Sequence, residues 1–174
     1  MAQKTTQQQR FVAERVRALA VVYLTRRADL IVTEETADVG VDVWVTLNLE
    51  KKERHRKFGV KLRGSWTAVT ADHANKTLYP TMQRMRRCGP FPFPVVLFCF
   101  TMENNEGWFT WVAEPLVSLS GDFGLVQRGE AACRPLNTKA IDEIVEAVDC
   151  WYDAFFAKAI REIPTKKRNG SSAK

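Results

Sequence analysis

The stretch DVGVDVWVTLNLEKKERHRKFGVKLRG, residues 38–64, decides how the rest of the chain is read. After Gly40, the residues Val43, Val45, Leu47 and Leu49 alternate with Asp42, Trp44 and Thr46. That is the two-residue period of a strand with unlike faces. A second run follows, with Phe58, Val60 and Leu62 on one face and Gly59, Lys61 and Arg63 on the other. The connection between them, LEKKERHRK, is strongly basic and reads as an exposed turn. Two strands joined in this way can present Asp42 and Lys61 on the same side of a sheet.

Upstream, Val12, Val16, Leu19, Ala20 and Tyr23 form an apolar stripe at helical spacing, and Thr5 with Gln8 has the spacing of a capping box. One helix is expected from about residue 7 to 26. Glu14 sits beside that stripe, either as a solvated flank or as an inward-pointing functional group. Residues 30–33 form a short strand candidate. Downstream, Asp72 is placed to cap a helix that Pro80 would bend or divide. The prolines Pro90, Pro92 and Pro94 mark an extended connector. Residues 95–101 read as a strand buried on both faces, and residues 108–113 as its hairpin partner, with Trp108 and Trp111 on opposite faces. Residues 114–135 show no clear periodicity. Ile141, Ile144, Val145, Val148, Tyr152, Phe155 and Ala159 line one face of a final helix that starts at Asn137 or Thr138. Asp142 and Glu143 are expected in its first turn, and Pro164 is expected to stop it. The order predicts an α/β protein with a central mixed sheet flanked by helices. Residues 1–163 form one domain in this reading, followed by a disordered basic tail over residues 164–174.

Composition bounds the function more loosely. The 174 residues are 45% hydrophobic and 26% charged, the balance of a soluble globular chain, and the net charge of +6 favours an anionic partner. Cys88, Cys99, Cys133 and Cys150 are scattered without a C-x-x-C pair, and Cys99 and Cys150 are expected to be buried thiols. His55 and His73 lack ligand-like spacing and are expected at the surface. The opening MAQKTTQQQR has no apolar signal-peptide core, and no apolar run is long enough to cross a bilayer. A cytoplasmic location and no membrane partner are the expectation.

Taken together, these segments resemble the PD-(D/E)XK, or restriction-endonuclease-like, superfamily. The nearest likeness is to a prokaryotic branch with a first-helix glutamate, a D-x-G-x-D strand and a following Q-x-K or E-x-K strand. The matching residues are Glu14, then Asp38-Val39-Gly40-Val41-Asp42, then Gly59-Val60-Lys61. Pro94-Val95-Val96-Leu97 and Trp108-Phe109-Thr110-Trp111 follow in the family's order, so the likeness spans about residues 11–159. It implies a nuclease that hydrolyses phosphodiesters with Mg2+ or Mn2+, of the kind found in prokaryotic defence or mobile-element systems. Such a metal activates water and neutralises charge on the phosphate, and it favours oxygen ligands. Carried across, Asp42 is the metal ligand, Glu14 a supporting ligand and Lys61 the electrostatic partner.

One position departs from the pattern. Gly59 stands where the family has Glu, Asp or Gln, which removes one side-chain metal contact. Glu34, Glu35 and Asp38 are near enough in sequence to supply a displaced carboxylate. Two readings therefore stand together: a metal-dependent nuclease with a degenerate site, or an inactive nuclease-fold protein that binds nucleic acid or a protein partner, a second copy of itself included. The basic residues Lys51, Lys52, Arg54, Arg56, Lys57 and Arg63 are candidate contacts to a phosphate backbone, as is the cluster Arg84, Arg86 and Arg87. The bland alternatives are an Asp42 that caps its strand, a solvated Lys61 and a solvated basic turn. For a protein partner, the segment Phe91-Pro92-Phe93 is the expected exposed apolar patch.

Overall fold

Periodic apolar residues set each element in place. The structure, a computed structural model, describes residues 2–37, 39–49, 55–67 and 70–162, with side chains between residues 7 and 161. Helix α1 (Ala2–Leu24) buries Val16, Ala20 and Leu24, spaced by four. It begins at Ala2 rather than near Gln7, so Thr5 lies inside the helix instead of capping it. Strands β1 (Leu30–Glu34), β2 (Val43–Leu47) and β3 (Arg56–Ser65) form an antiparallel meander. Val43 lies opposite Glu34 on one side and opposite Val60 on the other.

Helix α2 (Ala71–Arg87) then carries the chain over the sheet, so that β4 (Val95–Thr101) runs parallel to β3 with Lys61 opposite Leu97. Strand β5 (Gly107–Val117) returns antiparallel to β4. The register shifts between Val95 and Val96, which face Ala113 and Trp111, leaving Val112 as the extra residue of a bulge. Strands β6 (Phe123–Gln127) and β7 (Arg134–Pro135) pair with different parts of β5. Helix α3 (Thr138–Glu162) ends the described chain, with the Asn137 side chain accepting from the Ala140 amide at its start. The protein is α/β, with a mixed seven-stranded sheet in the order β1-β2-β3-β4-β5-β6 and β7 beside β5.

Strand alternation divides the interior in two. Val43, Val45, Phe58, Val60, Phe98 and Phe109 pack with α1 and α3 on one face of the sheet. Val95, Leu97, Cys99 and Val112 pack with Ala74, Leu78, Met82 and Met85 of α2 on the other. Trp111 joins the first core and Trp108 the second, on opposite faces as their spacing implies.

Several expectations need correction. Pro80 does not divide α2: the helix is continuous and is capped by the Thr70 hydroxyl, which accepts from the His73 amide, with Asp72 inside the first turn. A helix-interior proline costs about 3 kcal/mol. Burying Leu78 and Met82 contributes about 1.5–3 kcal/mol each, so the buried face outweighs the break. Residues 114–135 are not irregular throughout, since they contain the end of β5, all of β6 and all of β7. Asp142 and Glu143 lie beyond the first turn of α3, where they pair with Arg27 and Arg134. Cys150 is exposed, whereas Cys99 and Cys133 are buried and their thiols are pushed up by burial to about 11 and about 12. Phe91 is buried and Phe93 packs beside it, so Phe91-Pro92-Phe93 is not an exposed patch. His55 and His73 are exposed, as expected. The expectations for Asp38, Lys51, Lys52, Arg54, Pro164 and the basic tail fall outside the described residues.

Candidate functional site

Asp42 lies immediately before β2, where the chain leaves the turn at Gly40, whose φ is +87°. Its backbone is held on both sides: the Asp42 amide donates to Val60 O at 2.9 Å, and its carbonyl accepts from the Glu35 amide at 3.0 Å. β2 goes no further along β3, and the Leu62 amide donates instead to Asp42 Oδ2 at 2.6 Å. The carboxylate thus closes the β2–β3 ladder by taking an N–H that would otherwise lack an acceptor. Its other oxygen, Oδ1, accepts from Lys61 Nζ at 2.8 Å. The alternation in the two strands therefore does bring Asp42 and Lys61 together, and Lys61 is well shielded, with 15% of its side chain exposed.

A cavity of about 330 Å3 opens beside this pair, between α1 and the end of β3. Asp42 and Arg63 line it from the sheet, Arg17 and Gln9 from α1, and Trp66 at its rim. Arg63 is half-buried; its Nε donates to Thr81 Oγ1 on α2 at 2.9 Å and a terminal nitrogen donates to Leu62 O at 2.7 Å. Burial draws its guanidinium below the ordinary value, Asp42 pulls it back up, and the like charge of Arg84 lowers it further. Arg63 nonetheless stays cationic, as arginine does in proteins. Among the described residues, Arg17 Nε has no hydrogen-bond acceptor, since the Glu34 carboxylate stands at 3.6 Å, an ion pair only. The cleft is lined, among the described residues, by one carboxylate, Asp42, and by Arg63 and Arg17; Lys61 reaches Asp42 without lining the cleft, and Arg84 is close enough to perturb Arg63.

Glu14 is not part of this group. It projects from the outer side of α1 and pairs at 3.0 Å with Arg10, one turn earlier. Gly59 explains itself sterically. A Cβ there would lie 2.5 Å from Val41 Cγ1 and 3.2 Å from Val41 Cβ, so the buried Val41 side chain fills the space an acidic residue would need. The nearby carboxylates are engaged as well: Glu35 accepts from Trp44 Nε1 and from the Ala37 amide, both at 2.7 Å. Those bonds hold the Glu35 carboxyl below its ordinary range. Among the described residues, no three His, Cys, Asp or Glu side chains come together in a way that could hold a metal ion. The described donor set does not fit Mg2+ or Mn2+: it offers one carboxylate, both of whose oxygens already accept hydrogen bonds, and no side-chain oxygen at position 59.

The other candidate contacts separate. Arg56 is not on an exposed turn: at 5% exposure it reaches under α3, donating to Asp149 Oδ1 and to Asp153 Oδ1, both at 2.6 Å. It anchors a helix and is not available to a phosphate backbone. Lys57 is exposed, its ammonium 4.4 Å from the centre of the Trp44 ring. Arg84, Arg86 and Arg87 are exposed in the last turn of α2. The sequence reading missed Arg17 and Trp66 as members of the site. The signal that could have found them is Gly64, the small residue that lets α1 lie against the end of β3.

Comparison with protein-family models, curated sequences and solved structures finds no match.

Proposed function

We propose that the cleft beside Asp42 is a phosphodiester-binding site on a nuclease-like frame, and that it holds nucleic acid without hydrolysing it. The reading rests on one observation: Asp42 is saturated by Lys61 and the Leu62 amide, in a cleft where cations outnumber carboxylates. Lys61 neutralises Asp42 and Glu34 pairs with Arg17 at 3.6 Å, which leaves Arg63 as the uncompensated charge lining the cavity among the described residues. A phosphate oxygen there gains two guanidinium donors, which recognise phosphate through paired N–H groups. The exposed Arg84 next to Arg63 extends the positive strip along α2.

Hydrolysis is the second reading, favoured by the 2.8 Å approach of Lys61 to Asp42 on one face of adjoining strands, the pairing that the resemblance implies for a nuclease. A single set of assays separates the two. Labelled DNA and RNA oligonucleotides are titrated with the protein at several salt concentrations, and the same substrates are incubated with Mg2+ or Mn2+. Binding should weaken linearly in log–log form with salt, and Arg63→Gln should lower the slope by about 0.7 on a single strand or about 0.9 on a duplex, the share of one phosphate contact. No strand cleavage should follow. Metal-dependent cleavage abolished by Asp42→Ala and Lys61→Ala would replace this reading with the second; binding indifferent to salt would remove the first, and wild type and both variants behaving alike with either metal would remove the second.

A further inference from the structure

Beside the cationic cleft lies a feature that phosphate binding does not use. Trp66, just past the end of β3, is 53% exposed, and Phe11 on α1 is 49% exposed. The two rings lie nearly parallel, 14° apart with centroids 6.3 Å from each other. Their meeting has a local cause. Gly64 brings the end of β3 so close to α1 that a Cβ there would lie 2.8 Å from Val16 Cγ2 and nearer still to Val12. Phe11, next to Val12, therefore comes over Trp66. Single exposed apolar residues are ordinary on protein surfaces. Here, however, two large rings leave about half their surface in water at the rim of a cleft lined by Arg17 and Arg63.

We infer that Phe11 and Trp66 form a stacking platform for an unpaired nucleobase, so that the cleft selects single-stranded over duplex nucleic acid. The inference rests on the phosphate-binding reading and sharpens its substrate class. In a duplex the base faces are already stacked on their neighbours and are closed to an indole. In a single strand each base offers a free π-face, and an aromatic side chain beside a cationic groove is the arrangement that holds one. Trp66 lines the same cavity as Arg63, so a base on the indole places its flanking phosphate toward the guanidinium groups.

The test measures affinity by fluorescence anisotropy for three labelled probes: a thymidine oligonucleotide, an abasic strand of equal length and a duplex. Wild type should prefer the thymidine strand over both others. Trp66→Ala should reduce thymidine-strand affinity about tenfold, collapsing the preference, while Trp66→Phe should retain most of it. Both variants should keep the wild-type circular dichroism and melting temperature, since the ring is half exposed. Arg63→Gln should weaken all three probes alike. If wild type binds the three probes equally, or Trp66→Ala leaves the preference intact, the stacking inference fails while phosphate binding stands. If no probe binds, phosphate binding itself fails.

Discussion

Replacing Gly59 by alanine would test whether Val41 has closed the position where a metal ligand would stand. The added methyl would lie 2.5 Å from Val41 Cγ1, 3.2 Å from Val41 Cβ and 3.5 Å from Phe93 Cε2. Non-bonded carbons settle at about 3.5–4.0 Å, so the first contact is short by about 1 Å or more. Rotating Val41 about χ1 could move Cγ1 aside but not Cβ, whose position the backbone fixes. The segment before β2 would have to shift, and overpacking of that kind destabilises by about 1–3 kcal/mol. Val41→Ala alone should also destabilise by about 1–3 kcal/mol, because it removes two methyl groups from a buried site. In the double variant, the alanine at 59 occupies space that Val41 has vacated. The combined loss should fall short of the sum by about 1–2 kcal/mol, the coupling expected of residues in direct contact. Urea unfolding of the four proteins, followed by tryptophan fluorescence and circular dichroism, measures each step. Additivity within about 0.5 kcal/mol, or a neutral Gly59→Ala, would refute the steric account and reopen position 59 to a carboxylate.

Two further predictions concern the ion pairs that fasten the helices. Arg56→Ala should destabilise the protein by about 2–4 kcal/mol, below the full figure for a buried pair because Asp153 is largely solvated; a loss under about 0.5 kcal/mol in the same urea assay would contradict a role for Arg56 in anchoring α3. The hydrogen bond from Arg27 holds the Asp29 carboxyl below its ordinary value of 3.8, so its stabilisation is present above that pH and lost as pH falls through the lowered value. The stability gap between wild type and Asp29→Asn should therefore be widest near neutral pH and shrink toward pH 2, and a gap independent of pH would show that the pair contributes nothing through charge.

Much of the fold is legible because it follows from single-element periodicity. The alternation around Asp42 and Lys61 places both on one face without any tertiary information, and their side chains do meet. The stripe through Val16 and Ala20 likewise identifies the buried side of α1, though not Leu24, which is buried with them. What stayed hidden depends on contacts between elements. Gly59 reads in the sequence as a missing ligand, yet its cause is the bulk of Val41 across the strand pair. Arg56 reads as part of a basic turn because nothing local reveals that Asp149 and Asp153, more than ninety residues later, will meet it. Strand β6 escaped notice because Phe123, Leu125 and Gln127 alternate with exposed residues over only five positions at the sheet edge. Glu14 shows the reverse problem, since proximity to an apolar stripe does not fix which way a side chain near its border will turn.

The placement of α1 and α3 on one face of the sheet bears on how the chain is made. The core beneath them draws on Val16, Ala20 and Leu24 from the earliest described element and on Ile141, Ile144 and Val148 from the latest. Until α3 leaves the ribosome, that face has only α1 to cover it, whereas the opposite face can close as soon as β5 has paired with β4 over α2. The growing chain therefore passes through a stage with one face sealed and the other only partly covered, and α3 ends that exposure.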